Sequence, residues 1–177
     1  MRSFIIILVL CFTSCNDTNK NNVTVLNTDN EIHDISMYET NYESISILDI
    51  PKEWEKISIK NNVEVIYNPC DKSNYRYRIE KGKREWILME STGESIMHYA
   101  ISNTLKMDNE LAIICKNTET SQITVFKVQN YDSNAKKCIW SSSKDNFKTE
   151  ITFVNENAVG EIEFVSQPCS ECWKDCK

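Results

Sequence analysis

The segment Tyr75-Arg76-Tyr77-Arg78-Ile79-Glu80 places an aromatic or aliphatic side chain at every odd position and a charged one at every even position. Successive side chains of an extended strand point to opposite faces, so this segment can bury one face and wet the other. A helix would scatter both sets around its circumference. The same period of two, less regular, runs through residues 63–67, 85–90, 95–102, 110–116, 122–129, 137–141, 148–154 and 159–165. In the last of these, Glu161-Ile162-Glu163-Phe164 again sets acids against apolar groups.

Between the runs lie Lys60-Asn61-Asn62, Lys81-Gly82-Lys83, Thr92-Gly93-Glu94, Asp108-Asn109, Asp132-Ser133-Asn134 and Asn155-Glu156-Asn157. Asn, Asp and Gly tolerate turn dihedrals, so these are hairpin connections. Ser44-Ile45-Ser46-Ile47-Leu48 reads as a first strand. Asp49-Ile50-Pro51-Lys52-Glu53-Trp54 reads as a short helical turn with Asp49 near its cap and Pro51 in its first turn. Strands roughly ten residues apart, joined by short turns, make the chain mainly β. The expected architecture is a single small antiparallel barrel, a lipocalin-like meander, because closure removes sheet edges. A β-sandwich is the second choice.

The chain opens Met1-Arg2-Ser3, runs apolar from Phe4 to Phe12, and ends that run in Phe12-Thr13-Ser14-Cys15 before turning to Asn16-Asp17-Thr18-Asn19. One positive charge ahead of an apolar stretch too short to span a bilayer is the layout of a secretory signal. The junction resembles the bacterial lipobox, in which small residues precede a cysteine. The resemblance covers only about the first 15 residues. It implies diacylglycerol on the Cys15 thiol, cleavage before it, and a place in the cell envelope, membrane-anchored on the periplasmic or cell-surface side. An ordinary cleaved signal with a chance cysteine at its end is the alternative. The expected organisation is then a signal peptide over 1–14, an Asn/Thr/Asp-rich flexible tether over 15–43, one β domain over 44–167 and a cysteine-rich tail over 168–177.

Loss of residues 1–14 removes Arg2, leaving 19 basic against 26 acidic residues and a formal charge of −7. That excludes nucleic acid as a partner, which would demand a basic stripe. It favours a cationic partner at encounter.

Cysteine is the enriched reactive residue. Setting aside Cys11 in the signal and Cys15 under lipid, six of the eight remain: Cys70, Cys115, Cys138, Cys169, Cys172 and Cys176. An even number in an exported chain reads first as disulfides, here at least two, with at least one engaging the tail. The candidates are Cys70, Cys138, Cys169, Cys172 and Cys176. Cys115 sits within Leu111-Ala112-Ile113-Ile114 and reads as a buried thiol.

In the tail Cys169-Ser170-Glu171-Cys172-Trp173, a haem attachment site would need His where Trp173 stands, and a thioredoxin-like pair would need a βαβ setting. A metal site would need a fourth ligand, and neither His33 nor His98 is near in sequence. Soft metals such as Cu(I) or Zn²⁺ become an option only if Cys138 or Cys70 folds beside the tail. No metal or other cofactor is therefore expected.

Acid–base chemistry has little to work with. His98 lies in a strand beside Met97 and Tyr99, and Glu161 and Glu163 share a solvent face. There is no phosphate-cradling glycine loop and no Gly-x-Ser-x-Gly elbow. Trp54, Trp86 and Trp140 read as core or rim residues. No catalytic residue is assigned, and the expected function is a non-enzymatic binding module, of inhibitor or immunity type or for a small ligand. Its partners would be the membrane, through the lipid, and an envelope protein or small ligand. A thiol- or metal-handling envelope protein is the alternative, and a hydrolase with an unrecognised site the third. A wide apolar barrel mouth would point to a small ligand and a packed interior to a protein.

The lipid assignment predicts that Cys15→Ala abolishes incorporation of a clickable fatty acid. Label that persists in the variant would place the lipid elsewhere.

Overall fold

The computed structural model describes residues 42–68, 74–132 and 134–166. Its strands are β1 (Glu43–Ser44), β2 (Glu53–Lys56), β3 (Ser58–Lys60), β4 (Val63–Asn68), β5 (Arg76–Lys81) and β6 (Trp86–Ser91). They continue as β7 (Ile96–Met107), β8 (Glu110–Asn117), β9 (Ile123–Gln129), β10 (Lys137–Ser142), β11 (Ile151–Asn155) and β12 (Glu163–Ser166). Eight strands close an antiparallel barrel in the order β2-β5-β6-β7-β8-β9-β10-β11, with β11 pairing back onto β2. This is the barrel that the alternation led us to expect, not the sandwich. Its meander is broken once, where β3 and β4 leave the wall.

The phase of the alternation decides what lies inside. Trp54 from β2, Tyr77 and Ile79 from β5, Leu88 from β6 and Tyr99 from β7 all point inward. Phe126 and Val128 from β9, Cys138 and Trp140 from β10 and Phe153 from β11 meet them. The rings fill the bore against one another. Tyr77 stacks on Trp140 with centroids 4.3 Å apart, Phe153 tilts against Tyr77 at 5.0 Å, and Phe126 stands edge-on to Tyr99 at 5.2 Å. Trp54 is fixed further by its indole N–H, which donates to Pro51 O at 3.1 Å. On the wet face of β5 the charges pair across the ladder, Arg78 with Glu53 at 3.1 Å.

Two patches of the outer wall are also covered. Leu105, Ala112, Ile114 and Val125 carry Tyr42 and Phe147. Val154 packs with Ile57, Ile66 and Ala158 under a small sheet in the order β12-β4-β3, in which β12 runs parallel to β4. The β3–β4 hairpin turns on Asn61 and Asn62, with φ of 52° and 62°; two left-handed residues are what a two-residue hairpin loop needs.

The chain departs from the sequence expectation at several places, among them Asn155-Glu156-Asn157, which is not a hairpin connection: the chain goes on through a 3₁₀ turn to β12, which pairs with β4 and not with β11. The strand expected over 44–48 is only Glu43–Ser44, and the helical turn comes earlier, as a 3₁₀ turn at Ile47–Asp49. Ser46 caps that turn, its Oγ accepting from Leu48 N at 3.2 Å, so Asp49 is not the cap. Trp54 lies in a strand because it pairs with Tyr77 in the wall. β7 runs five residues past the expected end at 102, through a bulge between Ile101 and Asn103 that shifts its register. The segment expected as a strand from 159 begins as a 3₁₀ turn, Val159–Glu161, before β12.

Past the bulge β7 parts from β6, and the incoming chain takes the free edge. β1 pairs there, and Ile45 N donates to Thr104 O at 3.0 Å. Among the described residues, no helix is long and apolar enough to cross a membrane.

Removing the Phe153 ring, which touches both Tyr77 and Trp140, opens a void that this ring lattice cannot collapse to fill. Phe153→Ala is predicted to lower the unfolding free energy by about 3–5 kcal/mol. Denaturant titration measures this, and a loss below about 1 kcal/mol would mean the interior is loosely packed.

Candidate functional site

The inward phase of β6 is Trp86, Leu88 and then Glu90. A carboxylate therefore stands inside the bore at the end where β5, β7, β9 and β11 begin. Such a group costs several kcal/mol to dehydrate unless partners replace the water. Four do. Tyr75 Oη donates to Glu90 Oε1 at 2.5 Å and Tyr77 Oη to the same oxygen at 3.2 Å. Tyr99 Oη donates to Oε2 at 2.9 Å, and the Lys144 ammonium completes the set with an ion pair to Oε2.

Tyr77 stands on β5, Tyr75 just ahead of it, and Tyr99 on β7, the two walls that flank β6. Lys144 comes from elsewhere. It lies on a 3₁₀ turn, Ser143–Asp145, in the loop after β10, and reaches inward over the rim. Its Nζ also donates to Tyr99 Oη at 3.0 Å and lies 5.4 Å from the Tyr99 ring centre and 5.7 Å from that of Phe126. These distances are in the range of cation–π attraction. Three residues on, Phe147 packs on the outer wall. The loop thus straddles the rim, one side chain inside and one outside. Ser143 Oγ ties it down by accepting from Val125 N at 2.9 Å.

Burial, and then the charge of Glu90, push the Tyr75, Tyr77 and Tyr99 phenols well up, so they stay protonated and keep donating. Two polar atoms nearby have no hydrogen-bond partner although they are buried: Trp140 Nε1 in the bore and Asp145 Oδ1 in the loop. Asp145 is close enough to Tyr75 for its charge to be felt there.

No family model, curated protein or solved structure matches this chain. The site therefore stands on its own geometry.

The residues singled out from sequence fall elsewhere. Cys15, Cys70, Cys169, Cys172, Cys176 and His33 lie outside the described residues. Cys138, a bridge candidate, is a free thiol buried in the bore, its Sγ 3.6 Å from Asn130 O. The alternation that turns Trp140 inward turns Cys138 inward too, away from any surface partner. Burial, with Asp132 adding to it, pushes the Cys138 thiol up to about 12. Cys115 is likewise free, buried and pushed up by burial. Neither thiol is poised for redox or metal chemistry. His98 faces outward on β7, and Glu161 and Glu163 are exposed, Glu161 pairing with Lys136. Among the described residues no three metal-ligating side chains gather.

The sequence reading missed Glu90. The signal was the phase itself, since counting in twos from Leu88 puts the acid on the buried face.

Because the folded chain holds the three phenolic protons more tightly than the unfolded chain does, their contribution to stability is complete below the ordinary phenol value near 10. It is lost as pH rises beyond that. Denaturation midpoints are therefore predicted to hold steady from pH 7 to 9 and to fall above about pH 10. Of the seven tyrosines, the share of the 295 nm absorbance change that belongs to Tyr75, Tyr77 and Tyr99 is expected to appear only as the barrel unfolds; all seven ionising near pH 10 in a folded chain would contradict the network.

Proposed function

We propose that this chain is a non-enzymatic binding module of the bacterial envelope, tethered by lipid on Cys15 and directed at a protein partner. The observation that carries the reading is the filled bore. Trp54, Tyr77, Phe126, Trp140 and Phe153 lock together ring against ring where a small-ligand carrier would keep a cavity. Recognition is then left to the rim and outer wall.

Two further features support this. Ile96 and Ile123, at the starts of β7 and β9, are 52% and 45% exposed at the same end of the barrel as Glu90. Apolar side chains flanking a polar centre are what a protein contact uses. The formal charge of −7 after signal removal suits a cationic partner. The thiol- or metal-handling alternative gains nothing from Cys115 and Cys138, both held protonated by burial.

The mature chain, used as bait on extract of its own host's envelope, is expected to retain a polypeptide that then binds it saturably as a purified component. Recovery instead of a stoichiometric small molecule from the purified chain, seen by native mass spectrometry, would overturn the protein-directed reading.

A further inference from the structure

We infer that the Glu90 site is a receptor for a primary ammonium group, occupied within the chain by Lys144 and open to a lysine side chain of the partner. The inference rests on the binding-module reading and names what that module would grip.

The two halves of the interaction are built differently. The receiving half belongs to the wall: the Glu90 side chain is 3% exposed and the phenols of Tyr75, Tyr77 and Tyr99 fix both its oxygens. The rings of Tyr99 and Phe126 give the ammonium two π-faces beside that carboxylate. A carboxylate flanked by ring faces is the chemistry by which proteins select an ammonium over a neutral or anionic group. The donating half belongs to a surface loop, and the Lys144 side chain is 35% exposed.

The loop also leaves acceptor capacity unused. Asp145 Oδ1 is buried with no partner, although its other oxygen accepts from Thr149 N at 3.0 Å. Lys144 does not satisfy it. Phe147 is held at φ 57°, a conformation that a bulky L-residue rarely adopts, so the loop carries backbone strain. An incoming lysine would exchange one ion pair for an equal one and find Ile96 and Ile123 exposed on the rim for its neighbours. Lys144 then acts as a tethered competitor. It excludes weak cations by its high effective concentration and yields to a lysine presented on a complementary surface.

The test uses the mature chain and the peptide acetyl-Ala-Lys-Ala-amide, with the norleucine peptide as the uncharged control. Lys144→Ala removes the competitor and is expected to bind the lysine peptide at least tenfold more tightly than the parent chain, read by tryptophan fluorescence. The norleucine peptide is expected not to bind. In the parent chain, peptide at high concentration is expected to move the Lys144 ε-methylene NMR signals to free-lysine positions. Glu90→Gln, or Tyr99→Phe should that variant not fold, is expected to weaken binding by tenfold or more.

If Lys144→Ala folds yet shows no preference for the lysine peptide, the inference fails. It fails equally if the Lys144 signals stay fixed at saturating peptide, since the pair is then permanent. Partner capture that is unchanged in Lys144→Ala and Glu90→Gln would leave the binding module standing and remove the ammonium site alone.

Discussion

An eight-stranded antiparallel barrel encloses a bore only wide enough for its own side chains, and every inward position must fill it without a clash. That volume constraint sets the rest of this structure. Five large aromatic rings occupy the middle, so neighbouring inward positions are smaller: Leu88, Val128, Cys115 and Cys138. The cysteines are thus explained as packing groups. β7 is the longest strand of the wall, and the irregularity at Ser102 shifts its register against β8 while the two stay paired as far as Met107. Ser102 Oγ donates to Ile114 O at 2.9 Å across the disturbed ladder. The edge exposed beyond the bulge is then covered by the incoming chain, with Ile45 and Ile47 packed against the core.

Within such a bore a single carboxylate is an expensive choice, and a hydrophobic residue at Glu90 would pack with less to satisfy. The network around it has one consequence that an apolar replacement could not supply. It makes the position of a loop 54 residues away depend on a charge. Hydrophobic contact is non-directional, whereas the ammonium must meet Oε2 and Tyr99 Oη together. The ion pair therefore specifies where the loop after β10 crosses the rim, and Phe147 on the outer wall holds that crossing from the other side.

How much of this could be read in the sequence varied with how local the cause was. The inner and outer faces of β5 were legible residue by residue, because Tyr75 to Glu80 alternates without a fault and sits in a regular ladder on both sides. The second half of β7 was not, since the bulge moves Leu105 to the outer face while Ile101 stays in. Ser46 and Asp49 are both good caps locally; the choice between them was made by Trp54, whose place opposite Tyr77 requires strand from Glu53 onward. The cysteine count suggested bridges, but only the phase of β10 shows that Cys138 faces the core. Of the site, Glu90 was available from periodicity. Lys144 was not: in Ser141-Ser142-Ser143-Lys144-Asp145-Asn146 it is indistinguishable from solvated loop, its partners being remote in the chain.

A lysine lies at each end of the barrel, and the two are held differently. At the end opposite Glu90, the Lys52 ammonium donates to Ile47 O at 2.6 Å and to Ile50 O, carbonyls of the turn that immediately precedes it. It lies 5.8 Å from the Trp86 ring centre, and burial lowers its affinity for the proton. Those acceptors exist only while the 3₁₀ turn is folded around the lysine, so moving Lys52 would destroy the place it leaves. Lys144 meets acceptors that belong to β6 and β7, Glu90 Oε2 and Tyr99 Oη, and are held by the barrel whether or not the loop is present. A cation bound by its own turn is a structural plug. One bound by a rigid wall occupies a site that survives its departure, and it is this difference that makes the Glu90 end, and not the Lys52 end, the place for recognition.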